Sequence, residues 1–228
     1  MQLKRLWSDF VDLIFPRCCE ACGGALIGNE TVICTSCRIM LPRVQGGSIV
    51  KHELAHKFVY IPEVKQTYPF LVFAKKGKVQ RLLHALKYKN RPEIGITLGQ
   101  MLGQELVSQQ QVPPADLIIS VPLHQKRLKK RGYNQSDKLA EGLSKVLEIP
   151  WSGDVLKRVR NSVSQTGKTR AERRENVVGI FEINHPITHK NVILIDDVLT
   201  TGATLEACIT TLKENGCNQF YVYTIASA

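Results

Sequence analysis

The chain has 228 residues, of which 43% are hydrophobic and 22% are charged, a composition typical of a soluble globular protein rather than a disordered one. This length allows one complete α/β core and a small accessory module. No stretch approaches the roughly 18 consecutive apolar residues that a membrane helix requires, so no membrane insertion is expected. The formal net charge of +11 is unusual for a metabolic enzyme and indicates polyanionic partners.

Residues 1–15 predict an amphipathic helix. Its apolar face is formed by Leu3, Leu6, Trp7, Phe10, Val11 and Ile14. Asp9 and Asp12 argue against binding to a membrane surface, so packing against the rest of the protein is favoured. The segment also lacks the small-residue cleavage site of a secretory signal, and a cytoplasmic location is therefore expected.

Two Cys-x-x-Cys pairs within residues 16–42 predict a zinc-binding module. The four thiols belong to Cys19, Cys22, Cys34 and Cys37. Thiolates in two such pairs are the ligands of a closed tetrahedral zinc site, and so small a module has too little core to fold without the metal. Redox pairs or stray thiols are the alternatives. Cys18 directly precedes Cys19, and although the spacing favours Cys19, the sequence leaves open which of the two binds the metal.

A linker and a basic helix are predicted next. Residues 43–69 show weak patterning with several Gly and Pro, and we interpret them as a linker that enters the main domain, 70–228. Phe70–Ala74 predicts a strand. Lys75–Arg91 contains seven cations and no acid, with apolar residues at helical spacing. Lys87 lies where this helix should end, beside the ligand-binding edge of the sheet.

The central part of the chain alternates helices, strands and basic segments. Leu98–Val107 and Asn134–Leu147 predict helices, and Leu117–Pro122 predicts a buried strand. Lys126–Arg131 carries five cations that can hold pyrophosphate or a nucleic-acid backbone, or simply form a solvated helix end. Lys157–Arg174 carries seven cations and one acid, which predicts a mobile loop able to close over pyrophosphate.

The run Val192–Thr204 changes from apolar to acidic to hydroxylic. Val192–Ile195 predicts a central strand of a parallel sheet, with Asp196 and Asp197 at its carboxyl end, where α/β sheets bind ligands. The loop Thr200–Thr204 opens a helix and offers backbone amides and hydroxyls, which together form a phosphate site. The carboxylates would repel that phosphate, so they should face sugar hydroxyls or a hydrated divalent metal. A ribose carrying a 5′-phosphate satisfies both halves of the site.

Two other interpretations of this run were considered. The acids can simply cap and solvate the turn after the strand. A P-loop nucleoside triphosphatase is excluded, because Gly167-Lys168-Thr169 matches only the end of that motif and Ser162 occupies the position of its first Gly. The last strand is predicted over Gln219–Ile225.

The run Val192–Thr204 resembles the phosphoribosyl-pyrophosphate (PRPP) signature of type I phosphoribosyltransferases, with four apolar residues, two acids, two apolar residues and Thr-Thr-Gly-x-Thr. From about Phe15 to Ala228 the order of motifs resembles the ComF family of competence-associated proteins. These motifs are the two cysteine pairs, Lys-Tyr-Lys, Ser-Val-Pro-Leu-His, Arg-Gly-Tyr-Asn-Gln, Ser-Gln-Thr-Gly, Arg-x-x-Asn-Val and the PRPP signature. Two departures are Ala203, where many phosphoribosyltransferases have Gly, and Tyr133, where the family often has Phe.

The resemblance implies a type I phosphoribosyltransferase fold, a mostly parallel sheet flanked by helices, after a zinc-ribbon-like module. It also implies PRPP with Mg²⁺ as ligand and action on incoming single-stranded DNA. Asp196 and Asp197 would be the catalytic acids, facing the ribose hydroxyls and the hydrated metal. Lys87, Arg127 and Arg131 are candidates for the pyrophosphate. The 5′-phosphate would be bound by Thr200, Thr201, Gly202, Ala203 and Thr204.

Three hypotheses on function remain open at this point, because no residue stands out as the base for an acceptor. The chain is a phosphoribosyltransferase with an unknown acceptor, a catalytically silent PRPP sensor, or a nucleic-acid-binding adaptor. In the last case the zinc module would dock a DNA helicase or another competence protein.

Overall fold

The computed structural model describes residues 16–44, 56–159, 179–187 and 190–227. The predicted helix of residues 1–15 lies outside the described residues. So does the predicted basic loop from residue 160 onward.

Parallel strands dominate the described fold. The strands are β1 (Val64–Val72), β2 (Leu117–Ser120), β3 (Trp151–Ser152), β4 (Leu156–Arg158), β5 (Phe181–Ile183), β6 (Asn191–Leu199) and β7 (Gln219–Ser227). Five of them form one sheet in the order β1-β7-β6-β2-β3, in which every pairing is parallel. β4 and β5 form a separate antiparallel pair. The predicted α/β fold with a mostly parallel sheet is confirmed.

Helices cover the sheet and connect its strands. They are α1 (Thr35–Met40), α2 (Lys78–Tyr88), α3 (Pro92–Ser108), α4 (Gln125–Arg131), α5 (Gln135–Leu147) and α6 (Ala203–Glu214), with a short 3₁₀ turn at His56–Phe58. The helices predicted within the described residues are present, but α3 begins six residues before Leu98. Proline at the first helical position has no amide to leave unpaired, so Pro92 starts that helix well.

The apolar core lies on both faces of the sheet. Alternate residues of β6 divide between the two faces, because side chains of a strand alternate. Ile193 and Ile195 pack with α2, α3, α5 and the cysteine module. Val192 and Leu194 pack with α6 and the β4–β5 pair. All four side chains are fully buried, which confirms the predicted central strand.

Strand β6 is longer than predicted. Asp196 and Asp197 lie inside the strand, which ends at Leu199, and not at its carboxyl end. The reason is that β7 continues to pair with β6 as far as Leu199. On the other side β2 ends opposite Ile195, so the acids lie just beyond the last residue of β2.

Strand β1 also begins earlier than predicted, at Val64 rather than Phe70. Part of the predicted linker is therefore strand. Just before the undescribed residues 45–55, the chain runs along β1: the Val44 amide donates to the Phe70 carbonyl at 3.1 Å, and the Val72 amide donates to the Pro42 carbonyl at 2.9 Å.

The chain leaves β2 and β6 in opposite directions. From β2 it passes through α4 and α5 to β3, whereas from β6 it passes through α6 to β7 on the other side. A crevice at such a switch point, outside the carboxyl ends of the two strands, is where open α/β sheets bind ligands. The acids of β6 are at this crevice.

Helices α3 and α5 approach each other closely through glycine. A Cβ atom on Gly142 of α5 would overlap the carbonyl oxygen of Ile96, and one on Gly99 of α3 would overlap that of Leu139. The backbones are therefore in direct contact, and α5 is held against the layer that packs on the sheet.

We predict that Gly142→Ala destabilises the fold, although alanine in a helix normally gains about 1 kcal/mol over glycine. The new methyl group must push two backbones apart, and overpacking of this kind costs about 1–3 kcal/mol. Urea unfolding should show the loss. Lys145→Ala, at an exposed position of the same helix, is the control and should change stability much less. Equal stability of the wild type and Gly142→Ala would contradict the close approach.

Candidate functional site

The two acids of β6 have different partners, because consecutive strand residues point to opposite faces. The Asp197 carboxylate pairs with the Lys87 ammonium at the end of α2, with 2.7 Å between Oδ2 and Nζ. The Asp196 carboxylate accepts a hydrogen bond from the Ser136 hydroxyl at 2.9 Å and from the Asp197 amide at 2.8 Å. Ser136 is in the first turn of α5. Three elements therefore orient the acid pair.

The environment of Asp196 disfavours the negatively charged form of its carboxyl group. Burial, followed by the neighbouring negative charge of Asp197, raises the pKa of Asp196 to about 7. The hydrogen bonds from the Asp197 amide and Ser136, and the charge of Lys87, act in the opposite direction but do not compensate. The pKa of this carboxyl thus lies close to neutral pH, which is typical of groups in functional sites.

A basic cavity of about 430 Å³ lies at the end of α2, next to the acid pair. It is lined by Lys87, Tyr88, Asn90, Arg127, Lys130 and Arg131. Lys87, Arg127 and Arg131, the three cations predicted to bind pyrophosphate, thus line one cavity. Lys87 belongs to both features, because it lines the cavity and pairs with Asp197.

The loop Thr200–Thr204 leads from β6 into α6. Gly202 precedes the helix with a φ of +85°, a left-handed conformation that glycine adopts without strain. Its Cα is covered by Phe58, whose ring lies 3.3 Å from the position a Cβ would take. The Lys57 ammonium donates to the Thr200 carbonyl. Thr200 and Thr201 are exposed.

Two residues of the site were missed by the sequence analysis. Ser136 contacts Asp196 across 60 positions of sequence, and Lys57 contacts Thr200 across 143. Neither belongs to a local pattern that indicates a ligand site. Tyr133, noted only as a departure from the family, donates its hydroxyl to the Leu86 carbonyl and so holds the end of α2 beside Lys87.

The four cysteines of the predicted module meet at one point. The Sγ atoms of Cys19, Cys22, Cys34 and Cys37 all lie within 4.8 Å of one another, close enough to bind one metal ion. Cys18 points elsewhere and donates to the Pro16 carbonyl at 3.4 Å. In the described structure Cys19, and not Cys18, is therefore the ligand candidate.

Backbone amides support the cysteine cluster. Amides donate to the sulfurs of Cys19, Cys22 and Cys34 at 3.3 to 3.4 Å. Burial acts to raise the pKa of the Cys19 thiol, but the amides around it outweigh burial and lower the pKa to about 7. Such a thiol is readily converted to the thiolate that binds soft metals.

The cysteine module is attached to α2 and to the start of α3. The Arg81 guanidinium donates to the Cys22 carbonyl at 3.2 Å, and Arg91 pairs with Glu20 at 2.6 Å. Loss of the cluster would therefore disturb the helix that carries Lys87.

Comparison with known proteins identifies the class of fold to which this chain belongs. A family model described as "Phosphoribosyl transferase domain" matches residues 134–228, which include α5, the acid pair and the Thr200–Thr204 loop. The fold is that of a type I phosphoribosyltransferase, preceded by a module with four clustered cysteines.

The relatives identify the family. Competence protein F of Haemophilus influenzae is 33% identical over 153 residues, which cover 64% of this chain and 67% of that protein. DNA utilization protein YhgH of Escherichia coli O157:H7 is 34% identical over 149 residues, covering 63% of this chain and 65% of YhgH. Competence protein ComFC of Bacillus subtilis is 35% identical over 100 residues, covering 44% of this chain and 39% of ComFC. The chain belongs to the ComF family.

Among solved structures, glutamine PRPP amidotransferase from B. subtilis is 21% identical, with a TM-score of 0.42 over 62% of this chain and 30% of the amidotransferase. Separately, none of the helices in the described ranges has the length and hydrophobicity needed to cross a membrane.

We predict that one side-chain carboxyl titrates near pH 7. Because the folded pKa of Asp196 lies above its ordinary value of 3.8, this carboxyl binds more protons in the folded chain than in the unfolded chain between about pH 4 and 7. The contribution of Asp196 to the free energy of unfolding should therefore fall as pH rises through that window. Carbon-13 NMR of the carboxyl groups should show the late titration, and Asp196→Asn should abolish it. Ser136→Ala should move the midpoint higher, because the hydroxyl stabilises the charged form. A wild-type protein whose carboxyls all titrate near pH 4 would contradict this environment.

Proposed function

We propose that this chain binds PRPP with Mg²⁺ at the switch point outside the carboxyl ends of β2 and β6, and that it acts as a phosphoribosyltransferase-like protein on single-stranded DNA in the cytoplasm. One observation carries the PRPP part: Lys87 connects a pair of carboxylates to a cavity lined by cations. A ligand with neighbouring hydroxyls and a pyrophosphate matches this arrangement of charge.

Each part of PRPP has a matching group. Arg127, Arg131 and Lys87 are assigned to the pyrophosphate, because they line one cavity. Asp196 and Asp197 are assigned to the ribose hydroxyls and to water molecules on the metal. The 5′-phosphate is assigned to the loop Thr200–Thr204, whose amides begin a 12-residue helix. Mg²⁺ would neutralise the pyrophosphate and bind through few protein ligands.

If transfer takes place, a nucleophile bonds to C1 of the ribose while the bond from C1 to the pyrophosphate oxygen breaks. Positive charge develops on the ring, and the pyrophosphate leaves with the bonding electrons. The cavity cations would stabilise the departing charge. The carboxylates would stabilise the ring, and Asp196 has a pKa near 7 that allows it to take up a proton.

The DNA part of the proposal is supported by the relatives and by charge. Helix α4 has no buried residue, and its exposed cations are Lys126, Arg127, Lys129 and Lys130. Exposed cations on one helix bind phosphate backbones irrespective of sequence. The relatives are proteins of competence and DNA utilization. All seven cysteines of the chain are unbridged in the described structure, in agreement with a reducing compartment.

Zinc is the metal that the cysteine cluster suits best. Four thiolates within reach of one point form a closed tetrahedral set, which is typical of a structural zinc ion and leaves no position for substrate. Docking of a helicase or another competence protein through this module remains a prediction. The exposure of Ile27 (78%) and Ile39 (77%) on the module supports a protein contact there.

Two adjacent cysteines provide a matched test of the zinc site. Cys19→Ser should lose most of the zinc and lower the melting temperature, because one of four ligands is removed and the module depends on the metal. Cys18→Ser should keep one zinc per chain. Metal content by mass spectrometry of the native protein and thermal unfolding measure both effects. A full zinc content in Cys19→Ser together with its loss in Cys18→Ser would reverse the assignment.

Calorimetry with Mg²⁺ tests the PRPP site. Asp197→Asn should weaken PRPP binding about tenfold or more, because hydrogen bonds to a charged acceptor contribute about 1.5–3 kcal/mol. The same variant should bind inorganic pyrophosphate at least as well as the wild type, because the substitution releases Lys87 and pyrophosphate has no ribose.

The matched control is Glu214→Gln, an exposed acid at the far end of α6, which should bind both ligands like the wild type. Equal PRPP affinity of the wild type and Asp197→Asn would refute the role assigned to the acid. Weakened binding of both ligands would mean that Asp197 supports the fold of the cavity and not the ribose.

A turnover assay distinguishes the hypothesis of a phosphoribosyltransferase from that of a catalytically silent PRPP sensor. Pyrophosphate release should be measured from PRPP with a panel of bases and with single-stranded DNA. Release with one acceptor identifies a transferase. Tight PRPP binding without release for any acceptor favours the sensor.

A further inference from the structure

A second basic cavity lies along α2, lined by residues of that helix from Gln80 to its C-cap, Lys89. It has a volume of about 400 Å³ and lies between the cysteine module and α2. Its basic side chains are Arg81, His84 and Lys89. Glu20 of the module also lines it, and this acid is paired with Arg91. None of these residues has a role in the PRPP site proposed above.

Tyr88 lies between the two cavities. It lines the first cavity, and its ring is 4.9 Å from the ring of His84, which lines the second. The Arg131 guanidinium of the first cavity lies 5.6 Å from the centre of the same ring. Along the chain, Lys87 lines the first cavity and Lys89 the second.

The Tyr88 side chain is unusually exposed for an aromatic residue, with 69% of its surface accessible. PRPP has no planar group that would cover this ring, and inorganic phosphates would use the cations alone. A ligand that covers the ring must have flat apolar faces as well as several phosphates. Single-stranded nucleic acid has both, because its unpaired bases stack on aromatic rings while its backbone binds cations. Duplex DNA does not offer its base faces in this way.

We propose that Tyr88 is the base-stacking platform of a single-stranded DNA track that joins the two cavities. A base stacks on the ring, and the phosphates on either side of it bind Lys87, Arg127 and Lys130 in one cavity and Lys89 in the other. The inference rests on the DNA part of the proposed function and adds the location and the mode of contact.

An abasic strand distinguishes stacking from charge. With the zinc-loaded full chain, Tyr88→Ala should weaken binding of a short oligothymidine about tenfold, which corresponds to about 1.4 kcal/mol and lies within the range for one stacked base. Tyr88→Phe should retain the wild-type affinity. On an abasic strand of the same length, which keeps the phosphates, wild type and Tyr88→Ala should bind equally. Fluorescence anisotropy measures all five affinities.

Salt dependence tests the two ends of the track. Lys89→Ala and Lys130→Ala should each reduce the slope of log affinity against log salt by about 0.7, the contribution of one phosphate contact to a single strand. Lys145→Ala, which removes an exposed cation of α5, should leave the slope unchanged. A reduced slope for only one of the two cavity variants would mean that the strand does not pass from one cavity to the other.

The proposal is overturned if Tyr88→Ala binds oligothymidine like the wild type, or if it weakens binding to the abasic strand equally. PRPP calorimetry on the wild type and on Tyr88→Ala separates this failure from that of the proposed function. If the wild type binds PRPP but no single strand, the DNA part of the proposed function is contradicted. If Tyr88→Ala binds the single strand with wild-type affinity, only the stacking platform is contradicted. Preference for duplex DNA over the single strand would also overturn the proposal.

Discussion

The ion pair between Lys87 and Asp197 is the interaction on which the arrangement of the site depends. Both side chains are largely withdrawn from water, with 25% and 15% of their surfaces exposed. In such a pair, removal of one partner leaves the other charge poorly solvated, so the two side chains hold each other in place. The pair fixes the end of α2 against β6. Lys87 therefore contacts the acids of β6 and also lines the cavity that contains Arg127 and Arg131 of α4.

The packing of the helices determines where the second acid finds its partner. Ser136 contacts Asp196 because α5 begins directly above the end of β2, and α5 is positioned by its backbone contact with α3 at Gly99 and Gly142. Asn134 caps the same helix, because its side-chain oxygen accepts a hydrogen bond from the Ser136 amide at 3.2 Å. Its side-chain NH2 group donates to the Val121 carbonyl at 3.0 Å and to the Asp137 carboxylate at 2.8 Å. A small change between the helices would move the Ser136 hydroxyl, and with it the pKa of Asp196.

Local sequence patterns predict much of the fold and part of the candidate site. The apolar run of β6 and the spacing of the four cysteines are contiguous signals. In the structure the apolar run is a buried strand and the four thiols lie together. Lys87, Arg127 and Arg131 were each predicted from basic segments as candidates for pyrophosphate, and in the structure the three side chains line one cavity.

Contacts between segments that are distant in the sequence could not be predicted from local patterns. The extension of β6 through the acids depends on pairing with β7, which no pattern within β6 reveals. The contacts of Ser136 with Asp196 and of Lys57 with Thr200 follow from how the layers pack. Likewise, the choice between Cys18 and Cys19 required knowledge of where each thiol points.

The two proposed ligands would compete for the same positively charged side chains. The cavity at the end of α2 contains the cations assigned to pyrophosphate, and it is also one end of the proposed DNA track. If both ligands bind, a pyrophosphate in this cavity neutralises Lys87, Arg127 and Arg131, and the strand keeps only its contacts with Tyr88 and the second cavity. Because single-strand affinity rises with each phosphate contact, occupancy by PRPP would then loosen the DNA, and DNA would loosen PRPP by the same factor. In that case the net charge of +11 would serve two polyanions that meet at the end of one helix.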